Sequence, residues 1–174
     1  MSSRVRSFAP LVMAQSRVLV LGSIPGVESL NAEQYYAHPR NAFWRIMAEL
    51  LQFSVALDYE ARCEALMDSG VGLWDSVREC ERPGSLDSAV VDATIEANDF
   101  ASLFARCGQL RRVFFNGAKS EQVFKRHVLS TLPADCVAEL SMRRLPSTSP
   151  AHASLNFAQK LSAWTAVRDA IDVR

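Results

Sequence analysis

The sequence has no excess of charge of either sign, because 19 Lys and Arg residues balance 19 Asp and Glu residues. It therefore lacks the overall positive charge that is common among nucleic-acid-binding domains. A neutral chain can still bind DNA through a local cluster of cations. The adjacent residues Arg143 and Arg144 are the strongest candidate for such a cluster.

The sequence also lacks paired cysteines and long apolar runs. Its four cysteines lie far apart, without the short spacings that indicate a zinc site or a disulfide framework. No apolar run is long enough for a signal peptide or a membrane-spanning helix, so we expect a cytoplasmic protein without membrane association. Nothing indicates an obligatory protein partner. A length of 174 residues, 49% of them hydrophobic, predicts one domain over residues 1–174.

What the sequence does contain is an alternation of β-rich and helical segments. Short apolar runs predict strands, and amphipathic spacing predicts helices between them. The predicted strands are 17–21, 71–74, 112–115 and 136–140, and the predicted helices are 41–53, 57–69, 99–107, 118–129 and 156–171. This order predicts an α/β fold, a three-layer α/β/α sandwich with a central, mainly parallel four-stranded sheet.

Residues 22–26 (GSIPG) follow the first predicted strand, and their glycines and proline prevent the strand from continuing. In an α/β sheet, the loops at the carboxyl ends of the strands form the usual ligand site, and their free N–H groups can bind an anion. The turns at Gly22, Asn116 and Leu145 are expected to meet at this edge. A tight connection without a ligand is the alternative for residues 22–26.

Residues 35–44 (YYAHPRNAFW) place four aromatic rings beside a histidine, an arginine and an asparagine. A hydrophobic core needs the rings but not the polar side chains between them. A pocket for a flat heterocycle needs both, because the base stacks on a ring, its edge takes hydrogen bonds, and a cation binds a phosphate. This segment therefore predicts a nucleobase site.

Three segments, residues 22–30, 35–44 and 145–151 (LPSTSPA), together resemble the uracil-DNA glycosylase superfamily, most closely its hypoxanthine (deoxyinosine) DNA glycosylase branch. They occur in the family's order and span nearly the whole chain. The resemblance implies a monofunctional DNA glycosylase of base excision repair, which hydrolyses the N-glycosidic bond of a flipped, deaminated base in DNA. It favours hypoxanthine as that base, with uracil or xanthine as alternatives, and this chemistry needs no cofactor or metal.

The resemblance also implies roles for individual residues. Asn41 matches the catalytic amide of the branch, which can orient water but cannot accept its proton, and His38 is a candidate for stabilising charge on the departing base. Phe43 would stack on the base, and the Asn116 amide would hydrogen-bond its lactam edge. The further base-binding candidates are Ser23, Ile24 and Tyr36. The DNA-binding candidates are Arg40, Arg144, Pro146, Ser147, Thr148, Ser149 and Pro150.

Each of the first four side chains also has an ordinary structural role open to it. Asn41 lies near a predicted helix start, where asparagine is a good cap, and Phe43 lies on an apolar face that a core would bury. Asn116 precedes a glycine and is typical of a turn. His38 can equally be a buried histidine whose hydrogen bonds are satisfied.

Two positions depart from the family. Many relatives have Asp or Asn where this chain has Ile24, and some have His where it has Leu145, so the commonest polar machinery is missing. With Asn41 alone we expect a slow enzyme, in which the sugar–base bond breaks largely before water adds. The losses also favour an alternative, an inactive module of the same fold that binds nucleotides or damaged DNA. A small-molecule hydrolase with Ser23 as nucleophile is a further alternative, although no Gly-x-Ser-x-Gly motif surrounds it.

Overall fold

The computed structural model describes residues 3–173. The strands are β1 (Arg4–Arg6), β2 (Val18–Gly22), β3 (Val71–Asp75), β4 (Val77–Glu81), β5 (Glu96–Ala97), β6 (Arg112–Asn116) and β7 (Ser141–Leu145). The helices are α1 (Val27–Ala32), α2 (Phe43–Leu51), α3 (Tyr59–Asp68), α4 (Phe100–Arg106), α5 (Ala118–Val123), α6 (Ala134–Glu139) and α7 (Phe157–Ile171). The helices predicted at 41–53, 57–69, 99–107 and 156–171 correspond to α2, α3, α4 and α7.

Four strands form a parallel sheet in the order β3-β2-β6-β7. The central strand β2 is buried along its whole length, since it is apolar on both faces. On one face, Val18 and Val20 belong to a core that includes residues of α2, α3 and α7. On the other face, Leu19 and Leu21 pack with α4 and with the π-helical turn Phe124–Val128 that follows α5. The predicted three-layer α/β/α sandwich with a four-stranded parallel sheet is confirmed.

The prediction for the fourth strand was wrong in position. Residues 134–139 form α6, and the strand follows at Ser141–Leu145 as β7. β7 lies at the edge of the sheet and exposes Arg143 and Arg144, so it lacks the apolar run by which a buried strand is recognised. The apolar residues of α6 lie just before β7, and the strand was predicted there instead.

A second, antiparallel sheet in the order β1-β4-β5 was not predicted. Each of its strands carries charged residues, and the buried Glu79 of β4 pairs with Arg4 and Arg6 of β1. β4 begins two residues after β3 ends, and its first residues stay close to the loop after β2. Ser76 N–H donates to Gly22 O at 2.8 Å and Val77 N–H donates to Ser23 O at 3.0 Å. The small sheet therefore supports the loop that leaves β2.

Candidate active site

The carboxyl edge of the parallel sheet opens into a cleft of about 870 Å³. Its walls come from the end of β2, the loop that follows it and the start of α1 (residues 22–29), from the segment before α2 (between residues 35 and 41) and from the loop after β7 (residues 147–152). Residues 85–88, after β4, complete the rim. Parallel strands bring their carboxyl ends to one edge of a sheet, so segments more than a hundred residues apart line the same cleft, as predicted.

The loop after β2 is held from behind by the buried side chain of Arg82. Its guanidinium donates hydrogen bonds to three backbone carbonyls, those of Pro25 at 2.6 Å, Gly84 at 2.8 Å and Ile24 at 3.4 Å. These bonds turn the opposite side of the loop toward the cleft. The role of Arg82 is to position the loop rather than to contact a ligand. It was not among the predicted site residues, because its contacts form only in the folded chain.

Ser23 and Ile24, both predicted to bind the base, line the cleft. The Ser23 hydroxyl donates to Asp87 Oδ1 at 2.6 Å. A serine nucleophile would instead donate to a base such as histidine, so this contact does not support the hydrolase alternative. The side chain of Ile24 is 6% exposed and packs in a small apolar cluster with Val5 and Val77. Ile24 therefore contributes shape and backbone to the cleft.

The Phe43 ring lies beneath the cleft rather than in it. It has no exposed surface and contacts Trp44 and Trp164 edge-on. Tyr36, which does line the cleft, stacks on Phe43 with ring centroids 4.2 Å apart. The prediction that Phe43 stacks on a base does not fit this conformation, because core packing covers the ring. Tyr36 therefore contributes an aromatic ring to the cleft, together with the more deeply buried Tyr35.

Both predicted catalytic side chains, Asn41 and His38, line the cleft. Asn41 Oδ1 accepts a hydrogen bond from the Phe43 N–H at 3.0 Å, so half of its amide fixes the start of α2. The structure gives its Nδ2 no partner within residues 3–173. His38 Nδ1 accepts from the Arg40 N–H at 3.1 Å, which leaves Nε2 as the ring nitrogen available to a ligand.

Asn116 and Thr148 bind each other and join the end of β6 to the loop after β7. Asn116 Nδ2 donates to Thr148 Oγ1 and Asn116 Oδ1 accepts from the Thr148 N–H, both at 2.9 Å. Thr148 was predicted to bind DNA. It is 1% exposed, so in this conformation its hydroxyl does not reach a phosphate. Asn116 lines the cleft and its amide also faces the Tyr36 hydroxyl, so only part of the predicted base-reading group is free.

The remaining DNA-binding candidates fall into two groups. Arg40, Ser147, Ser149 and Pro150 line the cleft or its rim. Pro146 does not line it, and its carbonyl accepts from the Trp164 indole at 2.9 Å. Arg144 lies outside the cleft and pairs with Glu121 at 3.2 Å, so the prediction gains no support from the geometry there.

The residue that sequence analysis missed is Asp75, at the end of β3. Its carboxyl is 3% exposed, lines the floor of the cleft, and its Oδ2 has no hydrogen-bond partner within the described residues. Burial, assisted by the charge of Asp87, raises the pKa of Asp75 to about 7. The signal in the sequence is one acidic residue directly after the apolar run 71–74.

The sequence model of the uracil DNA glycosylase superfamily matches residues 9–168, a range that contains every residue lining the cleft. The chain belongs to this superfamily. Membership places the protein among the DNA glycosylases and confirms the resemblance of residues 22–30, 35–44 and 145–151. The cleft at the carboxyl edge is thus the candidate active site of a glycosylase.

Two curated relatives of this glycosylase are named hypoxanthine DNA glycosylase. The protein from Methanosarcina barkeri is 36% identical over 116 residues, which are 66% of this chain and 72% of the relative. The protein from Methanosarcina acetivorans is 35% identical over the same lengths and shares. A solution NMR structure of a candidate uracil DNA glycosylase from M. acetivorans superposes with a TM-score of 0.80 at 29% identity, covering 98% of this chain and 99% of the other.

Two further properties concern the part of the glycosylase between residues 3 and 173. None of its helices combines the length and the apolarity that a bilayer-spanning helix requires. No three His, Cys, Asp or Glu side chains within that range are grouped so that they would hold a metal ion.

Proposed function

We propose that this glycosylase hydrolyses the N-glycosidic bond of hypoxanthine extruded from DNA, with uracil and xanthine as the alternative bases. The supporting observation is the convergence of all three sequence motifs on one cleft, whose volume of about 870 Å³ suits a nucleotide. The names of the two Methanosarcina relatives favour hypoxanthine among the deaminated bases.

The cleft offers a distinct contact to each part of an extruded nucleotide. The Tyr36 ring lies against the flat face of the base, and the Asn116 amide bonds a carbonyl on its edge. Ser147, Ser149 and Arg40, at the rim, bind the flanking phosphates. These contacts hold the base at the carboxyl edge of the sheet and the sugar at the mouth of the cleft.

Asn41 acts on the N-glycosidic bond between the base and the sugar. Its free Nδ2 is a fixed hydrogen-bond donor, while Phe43 N–H holds the Oδ1 end in place. An amide takes no proton near neutral pH, so Asn41 orients the attacking water or the base without acting as a general base. Hydrolysis therefore proceeds slowly through a sugar with cation-like character, which water captures after the base has largely left.

The test is single-turnover release of free base from a duplex with one deoxyinosine. We expect Asn41→Ala to lower the rate constant about a hundredfold or more, because removing one preorganised donor has an effect of that order. Asn31→Ala is the matched control, since Asn31 is exposed on α1 and does not line the cleft. Equal rates for wild type and Asn41→Ala would contradict the role of Asn41.

Base preference is tested on matched duplexes that carry deoxyinosine, deoxyuridine or deoxyxanthosine. We expect the largest single-turnover rate constant with deoxyinosine. Cleavage of deoxyuridine alone would contradict the choice of hypoxanthine while leaving the glycosylase reaction in place.

An inactive binding module is the second candidate, and the side chains of Ile24 and Leu145 favour it. Both are apolar and nearly fully buried, at 6% and 2% exposure, so neither activates water nor stabilises a leaving base. This function predicts binding of a deoxyinosine duplex by folded protein with no release of base from any of the three substrates.

A further inference from the structure

The floor of the cleft holds a buried carboxyl oxygen without a hydrogen-bond partner among residues 3–173, Asp75 Oδ2, and near it the buried Tyr36 hydroxyl, which faces the Asn116 amide. Both groups crowd the backbone of Gly22. A Cβ at Gly22 would lie 2.9 Å from the Tyr36 hydroxyl and would collide with Asp75 Oδ1. The Asp75 carboxyl and the Tyr36 hydroxyl therefore both lie against the backbone of Gly22, at the end of β2, and only glycine leaves room for them.

Unpaired polar groups in a protein interior are rare and destabilising, and those that persist need an explanation. The backbone of Tyr36 adds to the cost, because its φ of +54° lies in the left-handed region, which an aromatic residue seldom adopts. Both groups belong to residues that line the cleft, so a molecule bound there can supply the missing partner.

The groups that face Asp75 favour its neutral form near pH 7. Tyr35 and Tyr36 come from the segment before α2, and Asp87 comes from the loop after β4. Arg82 is the cation that faces it, but the hydrogen bonds of its guanidinium go to three carbonyls and not to the carboxyl. Burial together with Asp87 raises the pKa of Asp75 to about 7, so a proton is available to a ligand.

We propose that the carboxyl of Asp75, with the Tyr36 hydroxyl beside it, is the proton donor to the departing base. This inference rests on the proposed glycosylase reaction and names the group that stabilises the leaving base. Leu145 cannot do so, since its side chain is apolar and buried. A base that departs with a proton leaves as a neutral molecule, which lowers the barrier to breaking the bond to the sugar.

The Asp75 O–H donates a hydrogen bond to a nitrogen or oxygen on the edge of the base. As the C1′–N bond breaks, its electron pair stays with the base, the proton moves from Asp75 to the base, and Asp75 becomes a carboxylate. Water then adds to C1′, and the proton that this water loses restores the acid.

The test is the pH dependence of single-turnover base release from a deoxyinosine duplex between pH 5.5 and 9, for wild type and Asp75→Asn. We expect the wild-type rate constant to be level below about pH 7 and to fall about tenfold per pH unit above it, because the carboxylate has no proton to give. At pH 6 the Asp75→Asn rate constant should be about 10² to 10⁴ lower, and it should not fall with pH.

Two controls separate this role from a structural one. Asp68→Asn changes an exposed carboxylate at the end of α3 and should keep the wild-type profile. His38 is unchanged in Asp75→Asn, so a falling limb that survives in that variant belongs to another group and overturns the proposal. A rate constant for Asp75→Asn within threefold of wild type at pH 6 also overturns it.

A second measurement does not depend on activity. In protein labelled with ¹³C at aspartate carboxyls, the Asp75 resonance should titrate near pH 7 and should be missing from Asp75→Asn. Titration below pH 5 overturns the proposal. Release of no base by wild type at any pH is a different result, since it contradicts the proposed function itself.

Discussion

At the scale of single residues, the buried Asp75 at the floor of the cleft lowers the stability of the fold. Asp75 is 3% exposed, and its Oδ2 has no hydrogen-bond partner among residues 3–173. Burial without a partner makes the charged form of a carboxyl more unfavourable than the neutral form. The cost of folding with Asp75 therefore depends on pH.

We predict that Asp75→Asn stabilises the protein more at pH 8 than at pH 4. In the folded state the Asp75 pKa is raised from 3.8 to about 7, so the folded protein holds a proton that the unfolded chain has lost. Wild type consequently loses stability as the pH rises from about 4 to 7, by roughly 4 kcal/mol for this one group. The variant does not have this loss.

The measurement is the free energy of unfolding in urea at several pH values for both proteins. The difference between variant and wild type should grow through the window from pH 4 to 7 and then level off. Asp92, Glu96 and Asp99, whose pKa values are lowered, act in the opposite direction in both proteins and cancel in the difference. A difference that stays constant with pH would contradict an elevated pKa for Asp75.

At the scale of elements, a buried arginine holds the loop after β2 in the shape that the cleft requires. The three carbonyls that Arg82 binds belong to residues of two different loops, 22–26 and 83–86. Hydrogen bonds from a charged donor are stronger than neutral ones, and their loss leaves buried carbonyls unpaired. The position of the loop is therefore a property of this contact between elements.

We predict that Arg82→Met destabilises the protein by about 2–4 kcal/mol, because methionine keeps the buried stem but removes the donors. The loop after β2 should also become mobile, so that binding of a deoxyinosine duplex weakens. Urea unfolding and fluorescence anisotropy measure the two effects. Arg78→Met is the control, since Arg78 is an exposed arginine that pairs with Glu96 on the surface and should unfold close to wild type.

The clamp between Asn116 and Thr148 is a second contact that acts between elements. It fixes the loop after β7 to the end of β6, and the Thr148 carbonyl accepts from the Ala42 N–H at 3.0 Å, just before α2. Two of the three motifs are thus bound directly to each other. Without the loop after β7, the Asn116 amide would be free to bind a base. In the folded protein most of its hydrogen-bonding capacity is used by Thr148.

At the scale of the whole molecule, a net charge of zero limits how DNA is bound. The cations that line the cleft are Arg40 and Lys119, and Arg143 and Arg144 are exposed on the neighbouring strand β7. With so few cations near the site, we expect few contacts to phosphates.

We predict a shallow salt dependence of binding to a deoxyinosine duplex, with a slope of log K against log salt of about −2 to −4, as expected for two to four phosphate contacts. Arg40→Gln should make the slope less negative by about 1. Arg168→Gln should not change it, since Arg168 lies on α7 and pairs with Asp169. A slope of about −6 or steeper would indicate an extended basic surface instead.

The sequence by itself determined the class of fold, the edge of the sheet at which the site lies, and the family. Buried parallel strands are apolar on both faces, and glycine or asparagine ends them here. The strands Val18–Gly22 and Arg112–Asn116 can therefore be recognised from their local sequence. The motifs around residues 22–30 and 35–44 are short and contiguous, which is why they can be recognised without a structure. The edge strand β7 carries no such pattern and was misplaced.

Only the tertiary structure decided which side chains face the cleft. Phe43 was predicted to stack on the base but is covered by Tyr36, and Thr148 points at Asn116 rather than at solvent. Asp75 reads in the sequence as an ordinary strand end, because burial and the absence of a partner depend on residues 22, 36 and 82. Solvation and pairing of a polar group are set by neighbours distant in the chain, so no local pattern encodes them.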